Sequence, residues 1–300
     1  MTSVPDDQPP PRGGPGRRLS TFLHRHPRTR VGLLLAGPVG WLVIGYLGSL
    51  FVLLLAAFWD TDPFTSEVVR TFTLDNFEMI VDTPVYRDVA WRTIRMAALV
   101  TVACAALAFP IAYYMARVAS PRLRGLLVVA VLMPLWASYL VKAYAWRTIL
   151  SENGALNWTL EPFGLSFDGY STVGLWLVFT YLWLPYMILP VYAGLERISP
   201  SLLEASADLG ARSGRTFARV VLPLAFPAVV AGSIFTFSLT LGDYITPEVV
   251  SSKQFIGNVI YDNIGVANNL PFAAAYAFVP IAVMIAYLYV AKRLGAFENL

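Results

Sequence analysis

Six long apolar runs with almost no charge restrict what this 300-residue chain can become. A hydrocarbon layer of about 30 Å takes about 20 helical residues to cross. Runs of that order fall near 33–59, 96–116, 126–146, 173–195, 221–243 and 271–291. Inside lipid every backbone polar group must pair internally, so only helices and closed barrels can span. Short connectors and the lack of a strand pattern select helices, which predicts an all-α membrane bundle of six spans. Only 14% of the residues are charged, against about 25% in ordinary soluble domains. Pro110, Pro134, Pro185, Pro190 and Pro280 fall inside the runs, where membrane helices accept them as kinks.

The expected order is a disordered basic tail over 1–30, a first transmembrane helix over 31–59 and an extracytoplasmic loop over 60–92. A core over 93–293 then carries five more spans. The first run is too long for a signal peptide and no small-residue cleavage site follows it. The tail is rich in proline, glycine and arginine, and His24 and His26 sit in it beside Arg25, as a topology signal rather than a metal site. Within 60–92 the stretch LDNFEMIV at 74–81 reads as a short helix.

Arginine sets the direction. With the N-terminus inside, the inner segments hold the tail arginines, then Arg117, Arg122 and Arg124, then Arg197, Arg212, Arg215 and Arg219, then Lys292 and Arg293. The outer side keeps Arg70, Arg87, Arg92, Arg95, Lys142, Arg147 and Lys253. The bias predicts both termini in the cytoplasm of a prokaryotic cell, with the chain multi-pass in the plasma (inner) membrane.

Several chemistries are excluded. Both histidines lie in the tail, which removes intramembrane Ser-His catalysis and a histidine zinc site. Leu241-Gly242-Asp243 has the Gly-Asp of aspartyl membrane proteases, but no second intramembrane aspartate can share its proton. A phosphate-binding loop needs lysine followed by serine or threonine, and Lys142, Lys253 and Lys292 precede Ala143, Gln254 and Arg293. The expectation is therefore no catalytic residue, no metal and no cofactor in this chain. The lone Cys104 reads as a small packing residue.

Between the fourth and fifth runs, the segment 196–223 contains SLLEASADLGARSGRTFARVVLP. Ser199-Pro200 can start a helix as N-cap and first helical residue, or Ser201 and Glu204 can form a capping box. Gly210 suits a left-handed stop, giving a helix of two to three turns that needs a partner to be stable. A second short helix is expected from about Gly214 into the fifth span, with Pro223 near the membrane surface.

This segment resembles the EAA motif of binding-protein-dependent ABC importer permeases. Glu204-Ala205-Ser206, then Gly210, then Val220, Leu222 and Pro223 follow its spacing, with Ser206 in place of alanine and Val220 in place of isoleucine. WRTIRMA at 91–97, WRTILSENGALNWTL at 146–160 and LGDYITPEVV at 241–250 resemble the polyamine (spermidine/putrescine) branch, so the likeness covers about 60–293. The resemblance implies a MetI-like type I bundle whose 196–223 loop is an ATPase-coupling loop. It implies two ABC ATPase subunits holding ATP and magnesium, a second permease subunit that is a paralogue, and an extracytoplasmic solute-binding protein. A nucleic-acid partner is not expected.

For the solute path, Asp243 and Tyr244 stand at a span end, and Trp183, Tyr181 and Tyr186 offer ring faces to a cation. The bland alternative is a helix-end carboxylate that faces water or pairs with Lys142. The competing functions are import of iron, thiosulfate or an opine and, from another class, an autonomous secondary transporter or channel.

Overall fold

The computed structural model describes residues 27–293, and the chain divides after Leu55 into two compact units. The described part of the first is one helix, α1, made of Pro27–Trp41, a π-helical stretch Leu42–Leu47 and Gly48–Ala56, whose last residue opens the second unit. Residues 27–30, assigned to the tail by composition, are already helical, whereas the helix stops short of 59. The rest of the expected tail, with His24 and His26, lies outside the described residues.

The second unit opens with an antiparallel pair, β1 (Asp60–Thr61) and β2 (Val68–Val69), which an all-helical reading did not anticipate. The turn between them is made by Asp62, whose Oδ1 accepts the Thr65 and Phe64 amides at 2.9 and 2.8 Å. Those two bonds hold its carboxyl below the usual range. Helix α2 (Asp75–Asp82) follows, as LDNFEMIV suggested. Asn76 anchors it by donating to the Ala57 and Trp59 carbonyls at 3.2 and 2.8 Å.

Four further helices contain apolar runs: α3 (Pro84–Val118), α7 (Thr172–Glu196), α9 (Ser213–Gly242) and α12 (Leu270–Arg293). Helix α3 begins inside the 60–92 segment expected as a loop, because Pro84 suits a first helical position. The third run is not one straight helix. It is shared by α4 (Pro121–Trp136) and α5 (Tyr139–Leu150), with a bend of 93° at the break. Ala137 and Ser138 are extended, with ψ of 141° and 136°. Pro134 has already removed one amide from the last turn of α4. With the bent pair taken as one span, the described residues hold six. Short helices fill the connections: α6 (Ala155–Leu160), α8 (Pro200–Asp208), α10 (Ile245–Val250) and α11 (Ile256–Gly265).

Helix α7 is the spine, packed between α3 and α9. It buries Leu175, Val178, Phe179, Leu182, Met187, Val191 and Leu195. Against it α3 presents Met96, Val100, Cys104, Ala108 and Ala112, a stripe at four-residue spacing that shrinks towards one end and lets the helices close. Contact with α9 is tighter still. A Cβ on Gly232 would lie 2.7 Å from the Met187 sulfur, and one on Gly194 would lie 2.3 Å from the Ala228 Cβ. Hydroxyls inside the bundle bond to carbonyls one turn back, as in Thr101 to Ala97 at 2.7 Å and Thr240 to Thr236 at 2.7 Å.

Candidate functional site

The 196–223 loop forms as an extended break at Ser199, a helix and a stop. Ser199 takes the N-cap backbone conformation, φ −67° and ψ 139°, and Pro200 is the first helical residue of α8. The Ser199 hydroxyl meets that of Ser201 at 2.5 Å instead of bonding an amide. The Ser201–Glu204 capping box does not form, because Ser201 already lies inside the helix. At the other end Gly210 has φ +76°. Its amide donates to the Ala207 carbonyl at 2.8 Å, and the Ala211 amide donates to Ser206 at 3.1 Å. This pair of bonds is the Schellman stop, which favours glycine at the left-handed position.

Ser206, the residue that departs from alanine in the motif, has a use here. Its hydroxyl lies 2.8 Å from that of Thr216 and ties α8 to the first turn of α9. Leu203 and Ser206 face inward, whereas Leu202, Glu204, Ala205 and Leu209 are exposed, Leu209 to 89%. Val220 lies in the π-helical stretch Phe217–Val221 of α9. Leu222 follows with its amide on the Phe217 carbonyl, and Pro223, which has no amide to give, comes next. The wide turn takes up the register that the proline disturbs.

Two arginines that sequence reasoning treated only as orientation signals reach this loop. Arg117 donates from Nη2 to the carbonyls of Leu195 and Ile198 at 2.5 and 2.6 Å. Arg124 donates from Nη1 to Glu196 at 3.3 Å and from Nη2 to the Ala116 carbonyl at 3.1 Å. Their spacing from a helix end more than 70 residues later left no local signal.

At the opposite end of α9, Asp243 closes the helix. It neither faces solvent, being 9% exposed, nor joins Lys142, since among the described residues the ion pair is Arg124–Glu196. Its Oδ1 accepts the Ile245 and Thr246 amides at 2.9 and 3.2 Å. Its Oδ2 accepts the Thr246 hydroxyl at 2.7 Å and the Tyr139 hydroxyl. A carboxylate has about four acceptor sites, and these four donors occupy them. The turn Asp243–Thr246 thus starts α10, and an aspartate two and three residues before such amides is the local signal for it. Behind it, a Cβ on Gly257 would come within 3.0 Å of the Asp243 carbonyl, so α11 backs directly onto the turn.

Asp243, Tyr244 and Trp183 do come together, with Tyr139, around a cavity of about 390 Å³. The Trp183 ring stacks on Tyr139 at 5.9 Å between centroids and meets Tyr186 edge-on at 5.9 Å. Tyr244 stacks on Tyr261 at 4.7 Å. Tyr181 stands apart from that cavity and packs on Trp146 at 5.2 Å. Tyr139, Thr246 and Gly257 are the members that sequence reasoning missed. A larger cleft of about 850 Å³, lined by Glu152, Trp158, Glu161, Asp168 and Tyr170, was likewise missed.

A bundle with a short exposed helix hung between two spans is the arrangement of a membrane transport subunit. Residues 108–297 match the family described as binding-protein-dependent transport system inner membrane component, and the chain belongs to that family. It is an ABC importer permease, a multi-pass inner-membrane protein. It is 48% identical to the inner membrane ABC transporter permease protein YdcU of Escherichia coli, covering 98% of both chains. It is 32% identical to the spermidine/putrescine transport system permease protein PotB of the same organism, over 87% of this chain and 96% of that one. Among solved structures, a chain of a bacterial alginate ABC transporter shares the fold, with a TM-score of 0.67 at 18% identity over 92% of this chain and 98% of its own.

Proposed function

We propose that this chain carries a small organic cation of the spermidine/putrescine kind inward, driven by ATP that other subunits hydrolyse. The observation that carries the driving mechanism is α8, a nine-residue helix with an exposed face, stopped by a left-handed Gly210 and joined to α9 through Ser206 and Thr216. Two ATPase subunits, holding ATP and magnesium, press on the face that bears Glu204, Ala205 and Leu209. Their closure moves α8, and the hinge at Ser199 and the stop at Gly210 pass that motion to α7 and α9. Both termini and this loop are cytoplasmic, in keeping with the arginine distribution. A second permease subunit, a paralogue, completes the path, and an extracytoplasmic binding protein delivers the solute.

The likeness to PotB over most of both chains supports the polyamine reading. The cavity of Tyr139, Trp183, Asp243 and Tyr244 suits a cation, since ring faces attract ammonium groups. Asp243, its lone pairs already engaged, acts there through its field and by holding the rings in place. The test is reconstitution of the full complex in liposomes. ATP-dependent putrescine uptake that requires the binding protein supports the proposal. Uptake by this chain alone without ATP would make it an autonomous transporter. A binding protein that holds iron, thiosulfate or an opine instead would overturn the polyamine assignment.

A further inference from the structure

We propose that Arg117 is a positioning residue that couples the movement of α8 to α3, resting on the coupling role assigned above to the 196–223 loop. Covalently, α8 is attached only to α7 and α9. Helix α3 is separated from it by more than 80 residues of sequence, yet the guanidinium of Arg117 reaches the turn from which α8 starts.

The geometry is specific. A helix leaves its last carbonyls without intrahelical partners, and a cation at that end is favoured by the helix dipole as well. Helix α7 ends at Glu196, and α8 begins at Pro200. Arg117 bonds the carbonyl of Leu195 on one side of that junction and of Ile198 on the other, using both hydrogens of a single nitrogen. Charge-assisted bonds of this kind are short and roughly twice as strong as neutral ones. Its Nε is buried without a partner among the described residues, so the side chain's hydrogen bonds there are those to Leu195 and Ile198. Arg124, three residues into α4, adds its bond to Glu196 and fastens itself back to Ala116 on α3. The residues between α7 and α8 are therefore clamped to the end of α3.

A displacement of α8 then drags α3 with it. That matters for the bundle because α3 packs on both α7 and α9. With the clamp, both neighbours of α7 receive the movement: α9 through Gly210 and the Ser206–Thr216 link, α3 through Arg117. Without it, the α7–α8 junction would have no polar tie to the end of α3.

The experiment uses the complete transporter in proteoliposomes and measures ATP hydrolysed per putrescine taken up for wild type, Arg117→Lys, Arg117→Ala and, as reference, Gly210→Val. The expected result is a rise of about 10-fold in that ratio for Arg117→Ala, with KM for putrescine unchanged and an intermediate value for Arg117→Lys. Lysine keeps the charge and three donors on one nitrogen, but it lacks the rigid planar head that fixes the Arg117 nitrogen between the two carbonyls. If uptake and hydrolysis fall together, in proportion to the complex recovered, Arg117 is only a structural staple and the proposal is overturned. An unchanged ratio in Arg117→Ala while Gly210→Val uncouples would sink the proposal and leave the coupling loop standing. Unchanged ratios in both would remove the coupling assignment of the loop itself.

Discussion

The Ala211 amide reaches back to the Ser206 carbonyl at 3.1 Å, and it does so because the intervening Gly210 turns left-handed at φ +76°. One glycine thereby ends α8 and points the chain towards α9. A Cβ there would meet nothing within 4 Å, so any penalty on substitution is a backbone penalty. It amounts to about 1–2 kcal/mol for most residues and less for asparagine.

Gly210→Asn is accordingly expected to transport near the wild-type rate. Gly210→Val is expected to hydrolyse ATP without matching uptake, although it inserts normally because the residue lies outside the spans. Uptake assays and ATPase assays on the same proteoliposomes check both, and normal transport by Gly210→Val would remove the role given to this turn.

Leu209 is 89% exposed beside that stop, an apolar side chain with no covering neighbour. Leu209→Asp should leave stability within about 0.5 kcal/mol, as surface changes do. It should nevertheless reduce copurification of the ATPase subunits. Retention of the ATPases at wild-type stoichiometry would show that the face of α8 near Leu209 is not where they dock.

Helices α7 and α9 pack closely at Gly194 and Ala228, where an added Cβ would sit 2.3 Å from the Ala228 Cβ. Gly194→Ala should destabilise the detergent-solubilised protein by about 1–3 kcal/mol through overpacking. The double change Gly194→Ala with Ala228→Gly exchanges one methyl for another and should restore most of the melting temperature. Failure of the second change to rescue would mean that the helices separate instead of sharing the space.

Asp243 and Tyr139 share a hydrogen bond but differ in charge. Tyr139→Phe removes one of four donors to the carboxylate and keeps the ring. Asp243→Asn keeps the size, removes the negative charge and turns one acceptor into a donor. Both should lower the melting temperature. Only Asp243→Asn should also depress putrescine uptake per assembled complex, and equal uptake by the two variants would discard a path role for the charge.

Much of this architecture was legible because lipid leaves few choices. Apolar runs of spanning length had to become helices. Helices α7 and α12 did so within a turn of their expected ends, whereas α3 starts about three turns early, inside the segment expected as an outer loop, and α9 about two turns early. The loop was legible for a different reason. Proline at a helix start and glycine at a left-handed stop act through the local backbone, so Pro200 and Gly210 announce their conformations regardless of what surrounds them. The Ser201–Glu204 box was a local signal too, but Pro200 starts the helix earlier and draws Ser201 inside it.

What the sequence determined by itself was therefore the solvent of the protein, the helical nature of its apolar runs and the shape of one loop, all consequences of short-range patterns. The tertiary structure decided the rest. It bent the third run by 93° at Ala137–Ser138, brought the Tyr139 hydroxyl to the Asp243 carboxylate, and sent Arg117 across to Leu195 and Ile198. Those outcomes depend on which helices lie side by side. A carboxylate or a guanidinium takes its meaning from the donors and carbonyls that packing brings within 3 Å, and here Tyr139, Leu195 and Ile198 lie 78 to 104 positions from the groups they meet.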